Sequence, residues 1–232
     1  MFQVKNEAQR ATVYLYGTIG ADFWDAESSN TAKDFAKTLD ELSPKPIDIR
    51  IDSSGGDVYE GFAIASAIQR YEGETTAYVD GLAASAASYV AMMADRVVMT
   101  DYAQLMIHDA WTYVGGNSAD MLIAAERLDG VDAAIAAIIS ARSGMPVDDV
   151  RSAMDAETWY DADAAIEAGL ADEVQRTEQR VAASIDPAML AHYRHVPPSV
   201  EEAAKSHAAN TMQPREGRLL VLGNRVYQTE RE

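Results

Sequence analysis

The sequence contains no cysteine. That absence excludes disulfides, a thiol nucleophile and any cysteine-held metal, and it fits a reducing cytosol. No apolar run approaches the roughly 20 residues that cross a bilayer. The opening MFQVKNEAQR lacks the apolar middle of a secretory signal. The expectation is a cytoplasmic protein with no membrane association. Positive charge is also scarce: 19 Lys+Arg stand against 37 Asp+Glu, a net charge of −18. The deficit lies in residues 1–175, which hold 11 Lys+Arg against 30 Asp+Glu, while residues 176–232 hold 8 against 7. A body this acidic lacks the basic face that nucleic-acid binding needs, so nucleic acid is excluded as a partner. The acidity is read as solubility rather than as a charge-selective channel.

What is present is a globular composition. Of 232 residues, 48% are hydrophobic, enough for one domain with a sizeable core, or one domain plus an appendage. ATVYLYG (11–17), PIDIRID (46–52), TTAYVD (75–80), RVVM (96–99) and QLMIH (104–108) read as strands. Helical spacing runs over about 30–43 and 58–71, and again over 118–144, which stops at Gly144. Two shorter helices follow in PVDDVRSAM and DADAAIEAGL. Strands alternating with helices make the class α/β with crossover connections.

The chain changes character near residue 176. Residues 176–216 hold few large apolar groups and include Pro197-Pro198 and Pro214. The expected division is a catalytic domain over 1–175 and a weakly structured C-terminal extension over 176–232. LLVLGNRVYQ at its end reads as a hairpin about Gly223-Asn224.

Three strand ends carry candidate chemistry. The stretch GLAASAASYVAMMA (81–94) places Ser85 after a strand and before an apolar helix. A serine there meets free backbone N–H groups and the positive end of the helix dipole, which favour a developing oxyanion. By itself it could equally be a plain helix cap. Of four histidines (His108, His192, His195 and His207), only His108 lies in the body, at the end of QLMIH. Strand ends are where α/β folds place their sites, and one histidine there suits a serine nucleophile as its base. SSGG (53–56) ends a third strand, and its glycines let a backbone N–H face a ligand.

Together SSGGDVYEGFAIASAI, GLAASAAS, LMIHDA and ETWYDADAAIEAGLADEV resemble, in that order, the motifs of the ClpP family of serine peptidases, family S14, over about residues 11–175. The resemblance implies a ClpP/crotonase-like fold of repeated β-β-α-type units. It implies Ser85 as nucleophile, His108 as general base, and the N–H groups of Gly56 and Ala86 as the oxyanion hole, with Ser88 a small packing residue. The family's acid position matches Glu157, counted back from Gly169-Leu170. Asp155 is the alternative, and Asp109 is a poor candidate because strand neighbours point to opposite faces. No metal or other cofactor is implied. A homo-oligomeric ring is, heptameric or stacked, with protein or peptide as substrate.

Two departures bear on the branch. Ser54 stands where the family usually has proline before the Gly pair, and only about ten residues precede the first expected strand, so an ATPase partner is doubtful. The wording of GLAASAASYVAMMADRVVM, MIHDAW and ETW is most similar to the ClpP-related head maturation proteases of tailed phages and prophages, which implies capsid or scaffold precursors as substrate. A housekeeping ClpP-like degradative peptidase is the alternative. A non-catalytic assembly ring is another. A crotonase-type acyl-CoA enzyme scores low, since that chemistry uses site carboxylates rather than a Ser/His pair.

Overall fold

A computed structural model of the chain describes residues 3–21, 30–176, 190–202, 220–222 and 225–227. Its elements run β1 (Gln3–Asn6), β2 (Ala11–Tyr16), α1 (Ala32–Leu42), β3 (Ile47–Ser53), α2 (Val58–Gln69), β4 (Thr75–Ala84), α3 (Ala86–Met92), β5 (Arg96–Thr100), β6 (Gln104–Ile107), α4 (Ser118–Ser143), α5 (Val147–Asp155), β7 (Thr158–Asp161), α6 (Ala162–Glu167), β8 (Glu173–Gln175), β9 (Leu220–Leu222) and β10 (Arg225–Tyr227). The expected α/β class is the observed one. Eight strands form one sheet, ordered β1-β2-β3-β4-β5-β8, with β6 joined to β4 and β7 joined to β6.

The alternation in β2 and β3 explains their place. Ala11, Val13 and Leu15 and then Ile47, Ile49 and Ile51 are fully buried, and the two strands pair in parallel. Strand β4 is longer than TTAYVD suggested, because GLAA continues it to Ala84. Its first half pairs with β5 through Thr76–Val79, and its second with β6 through Leu82–Ala84. The strand thus changes partner about Asp80-Gly81 and carries the chain end directly to Ser85. Helix α1 buries Phe35, Leu39 and Leu42, and α2 buries Ile64, Ala65 and Ile68, on the main core.

Strands β1 and β7 escaped the sequence reading. β1 precedes the first expected strand and forms an antiparallel ladder with β2, Gln3 opposite Tyr14. β7 lies within ETWYD, antiparallel to β6, with Met106 opposite Trp159. Both are four residues long, too short for periodicity to register.

Helix α4 divides in two. Its C-terminal half buries Asp132, Ile135, Ala136 and Ile139 on the body. Its N-terminal half stands clear, with Leu122 72% exposed and Ile123 48% exposed. Gly144 ends it in the left-handed conformation, φ 76°, as expected.

The expected 175/176 boundary falls at the end of β8. Beyond it, residues 190–202 lie against the body. Leu190, Tyr193 and Val200 form a second small cluster with Leu82, Ala84 and Met106, flanked by Trp159 and Val196. β9 and β10 pair antiparallel on either side of the expected turn, Leu222 opposite Arg225. His207 and Pro214 lie outside the described residues, as do the residues of the 176–216 reading between 177 and 189 and beyond 202. Among the described residues no helix is long and apolar enough to cross a membrane.

Candidate active site

Ser85 closes the end of β4 and precedes the first residue of α3. Its backbone sits at φ 54°, ψ −124°, where an L-residue with a side chain is strained. The plain-cap alternative does not describe it: Ser85 makes no side-chain cap bond to its helix. Its hydroxyl instead meets His108, with Nε2 and Oγ 2.8 Å apart. The β4–β6 ladder fixes that distance. Ser85 N–H donates to the Met106 carbonyl at 3.0 Å, and Ala84 lies opposite Met106, so the end of β4 is tied to β6 two residues before His108.

Ser88 is spent locally. Its hydroxyl donates to the Ser85 carbonyl at 2.6 Å, and the side chain is buried. This matches the packing role expected of it.

The SSGG turn packs directly on the serine. Gly55 has φ 91°, and a Cβ there would stand 2.7 Å from the Ala84 carbonyl oxygen, 2.8 Å from Ser85 Cβ and 2.9 Å from Ala86 N. Gly56 has φ 150°, and a Cβ there would strike the Ile19 carbonyl oxygen at 2.0 Å. Only glycine fits either place. Asp57 then caps α2, accepting from the N–H groups of Tyr59 and Glu60 at 2.9 Å each. Gly56, Ser85, Ala86 and His108 line one cleft of about 1090 Å³, together with Trp111 and Leu128. Among the described residues, the N–H groups of Gly56 and Ala86 donate to no protein acceptor.

Burial pushes the His108 imidazole down from 6.5 to about 4; the Glu157 carboxylate pulls it back up, and the Arg194 charge pushes it further down. The histidine is therefore neutral, with Nε2 able to accept a proton, from weakly acidic pH upward.

Glu157 and Asp155 differ sharply. Glu157 is only 4% exposed, while Asp155 faces solvent. Glu157 also has a left-handed backbone, φ 50°. Ser85 and Glu157 are the two non-glycine residues with positive φ among the described residues, and they converge on one histidine. Yet Glu157 does not hydrogen-bond His108 among the described residues. Its carboxylate accepts from the backbone N–H of Arg194 at 2.7 Å, the N–H of His195 at 2.6 Å and Trp159 Nε1 at 3.3 Å. Burial would raise its pKa, but these donors and His108 hold it below the ordinary value. Asp109 points elsewhere: its Oδ1 is buried without a partner, and burial, then Asp155, raises its pKa.

Sequence reasoning missed the contribution of residues 192–195. Tyr193 donates its hydroxyl to the Ser54 carbonyl at 2.5 Å and sets its ring edge on His108, centroids 5.2 Å apart. His192 stacks on Trp111 at 4.4 Å. The dense group HYRH in an otherwise apolar-poor stretch was the one available signal.

A strained serine at a helix start, in contact with a buried histidine from the neighbouring strand end, defines the class: a serine hydrolase on a crossover α/β fold. Residues 18–178 match the Clp protease family, and the chain belongs to that family of serine peptidases. The chain is similar to the "ATP-dependent Clp protease proteolytic subunit" of Porphyromonas gingivalis, 33% identical over 139 residues, which are 59% of this chain and 63% of that protein. It is similar to the protein of the same name from Bacteroides fragilis, 31% over 153 residues, 65% of this chain and 74% of the relative. A third, "ATP-dependent Clp protease proteolytic subunit 2" of Rhodococcus jostii, is 29% identical over 132 residues, 56% of this chain and 68% of the relative.

Proposed function

We propose that the protein is a serine endopeptidase using Ser85, His108 and Glu157. The observation that carries this reading is the 2.8 Å contact of His108 Nε2 with Ser85 Oγ at a strained helix start. In the proposed reaction Ser85 Oγ attacks a peptide carbonyl and its proton passes to His108 Nε2. The negative carbonyl oxygen is held by the N–H groups of Gly56 and Ala86. Collapse of that intermediate expels the amine, which takes the proton from His108. Water then repeats the sequence on the acyl-Ser85 ester and frees the enzyme. Glu157 supplies the negative charge that steadies the imidazolium. Its burial, and the exposure of Asp155, support that choice. The cleft wall of Trp111, Leu128, Val131 and Ile135 suits an apolar substrate side chain.

The substrate in this reading is a capsid or scaffold precursor, cut during phage head maturation in the host cytoplasm or the assembling procapsid. The wording of the serine, histidine and ETW motifs supports it. Residues 1–175 form the catalytic body, and residues 176–232 a C-terminal extension. The body assembles into heptameric or stacked rings. The exposed Met121, Leu122 and Ile123 on the free half of α4 support a subunit contact there. A second reading, a degradative subunit that works with an ATPase, is favoured by the names of the relatives. Co-expression with candidate phage precursors, followed by mass spectrometry of the new termini, tests the choice. Discrete cuts in one precursor support maturation, and processive degradation of unrelated unfolded chains supports the second reading.

A further inference from the structure

The chain's own segment 190–200 packs behind the proposed catalytic pair, on the side away from the open cleft lining. Three anchors hold it. Leu190, Tyr193 and Val200 are buried to 8%, 8% and 4% exposure against Leu82, Ala84 and Met106, at the β4–β6 ladder that carries Ser85 and His108. The Tyr193 hydroxyl takes the Ser54 carbonyl at 2.5 Å, beside the Gly55-Gly56 turn, and its ring edge packs on His108. Ser85 is also a hydrogen-bonding neighbour of the Tyr193 phenol. Finally, the N–H groups of Arg194 and His195 both point into the Glu157 carboxylate, at 2.7 and 2.6 Å.

Each anchor removes something that hydrolysis needs. The Tyr193 ring and phenol engage His108 and Ser85, the two groups that must act on a substrate carbonyl. Glu157, the buried carboxylate nearest His108 in charge, is spent on two tail amides rather than on the imidazole. Arg194 adds a positive charge that disfavours the imidazolium the reaction must form. At the rim, His192 stacks on Trp111, a wall of the open cleft. Charge favours the contact too, since residues 1–175 hold 30 Asp+Glu against 11 Lys+Arg, and residues 176–232 hold 7 against 8.

We infer that segment 190–200 is an intramolecular inhibitor that holds the peptidase in a resting state until it is displaced. The inference rests on the serine-peptidase reading above. Displacement frees Glu157 to turn to His108 and releases the Tyr193 phenol from Ser85. The shift is a two-state equilibrium between docked and undocked tail, so weakening docking raises the active fraction without altering the catalytic groups.

The test uses the full chain and two tail variants, Tyr193→Ala and Arg194→Pro. The first removes the aromatic anchor, and the second removes one N–H donor to Glu157. Neither alters a residue of the body. A fluorophosphonate probe is added, the labelled residue is identified by mass spectrometry, and the labelling rate is measured with folding checked by circular dichroism. Both variants are expected to label Ser85 at least about tenfold faster than the unaltered chain. Equal or slower labelling in the folded variants, with Ser85 still modified, overturns the inhibition and leaves the peptidase reading standing. No labelling of Ser85 in any of the three overturns the peptidase reading and the inference with it. Hydrogen exchange on the unaltered chain gives a check independent of both variants and of activity. Protection across 190–196 is expected, and exchange there at the rate of an unfolded chain overturns docking.

Discussion

At the residue scale, the site concentrates its cost in two backbones. Ser85 and Glu157 both hold positive φ, each worth on the order of 1–3 kcal/mol of strain. The return is a serine hydroxyl turned out of its helix and a carboxylate turned inward. Ser85→Ala is expected to lower peptide hydrolysis by many orders of magnitude, about 10⁶-fold by analogy with other serine nucleophiles, and to abolish probe labelling with the fold intact. Ser88→Ala keeps most activity, because its hydroxyl serves the Ser85 carbonyl. The reverse pattern in steady-state assays removes Ser85 from the role. Glu157→Gln is expected to cost roughly 10²–10⁴-fold, against less than about threefold for the exposed Asp155→Asn; an inverted ranking transfers the acid role. The depressed His108 sets a pH dependence with a definite sign. Its folded value, about 4, lies below its unfolded value of 6.5, so the unfolded chain binds the extra proton between them. The stability that neutral His108 contributes is full above 6.5 and is lost as pH falls toward 4. Of the groups facing it, Glu157 raises its pKa and Arg194 lowers it, so Arg194→Ala moves the acid limb of the labelling-rate profile to higher pH. An unmoved or lower limb contradicts the geometry around His108.

At the element scale, β4 does the organising. One strand pairs with β5 over its first half and β6 over its second, so Ser85 and His108 arrive on adjacent strand ends. The Gly55-Gly56 turn then packs against the same strand end with no room for a side chain. Gly56→Ala drives a methyl into the Ile19 carbonyl and is expected to cost about 1–3 kcal/mol, with a larger loss of activity than of stability. Thermal melting and kcat/KM on the same sample separate the two, and a fully active, unshifted variant removes the turn from the oxyanion hole. Helix α4 shows the opposite economy. Its first half leaves Leu122 and Ile123 in solvent, which a lone subunit gains nothing by doing. Leu122→Asp with Ile123→Asp should leave the body folded and reduce the assembly, as read by light scattering. An unchanged mass places the subunit contact elsewhere.

At the scale of the whole molecule, the assembly and the tail are the open variables that function depends on. A ring predicts a mass several times 25.2 kDa at micromolar protein and physiological salt, and a monodisperse monomer refutes it. Ending the chain at Gln175 separates body from tail. The truncated protein loses the Leu190, Tyr193 and Val200 cluster, which covers Leu82, Ala84 and Met106. A soluble product with the same assembly and faster peptide hydrolysis makes residues 176–232 dispensable for fold and chemistry. Aggregation makes them part of the core.

The sequence alone determined the α/β class, the positions of the long elements and the pairing of a serine with a histidine. These are local facts: period-2 burial in Ile47, Ile49 and Ile51, a glycine pair after a strand, and small residues around Ser85. It also indicated Glu157, by its place before Gly169-Leu170, and the structure gave that residue the burial that Asp155 lacks. β1 and β7 were not legible, because four residues carry too little pattern and their pairing depends on neighbours distant in the chain. Least legible was segment 190–200. Its few apolar side chains and paired prolines spell a linker, since composition reports how much surface a segment can bury alone and not what surface awaits it. Only the tertiary structure decided that Tyr193 meets Ser54, 139 residues away, and that Glu157 accepts hydrogen bonds from tail amides rather than from His108. Those contacts arise from the shape and unpaired donors of two surfaces brought together by folding, which no local spacing encodes.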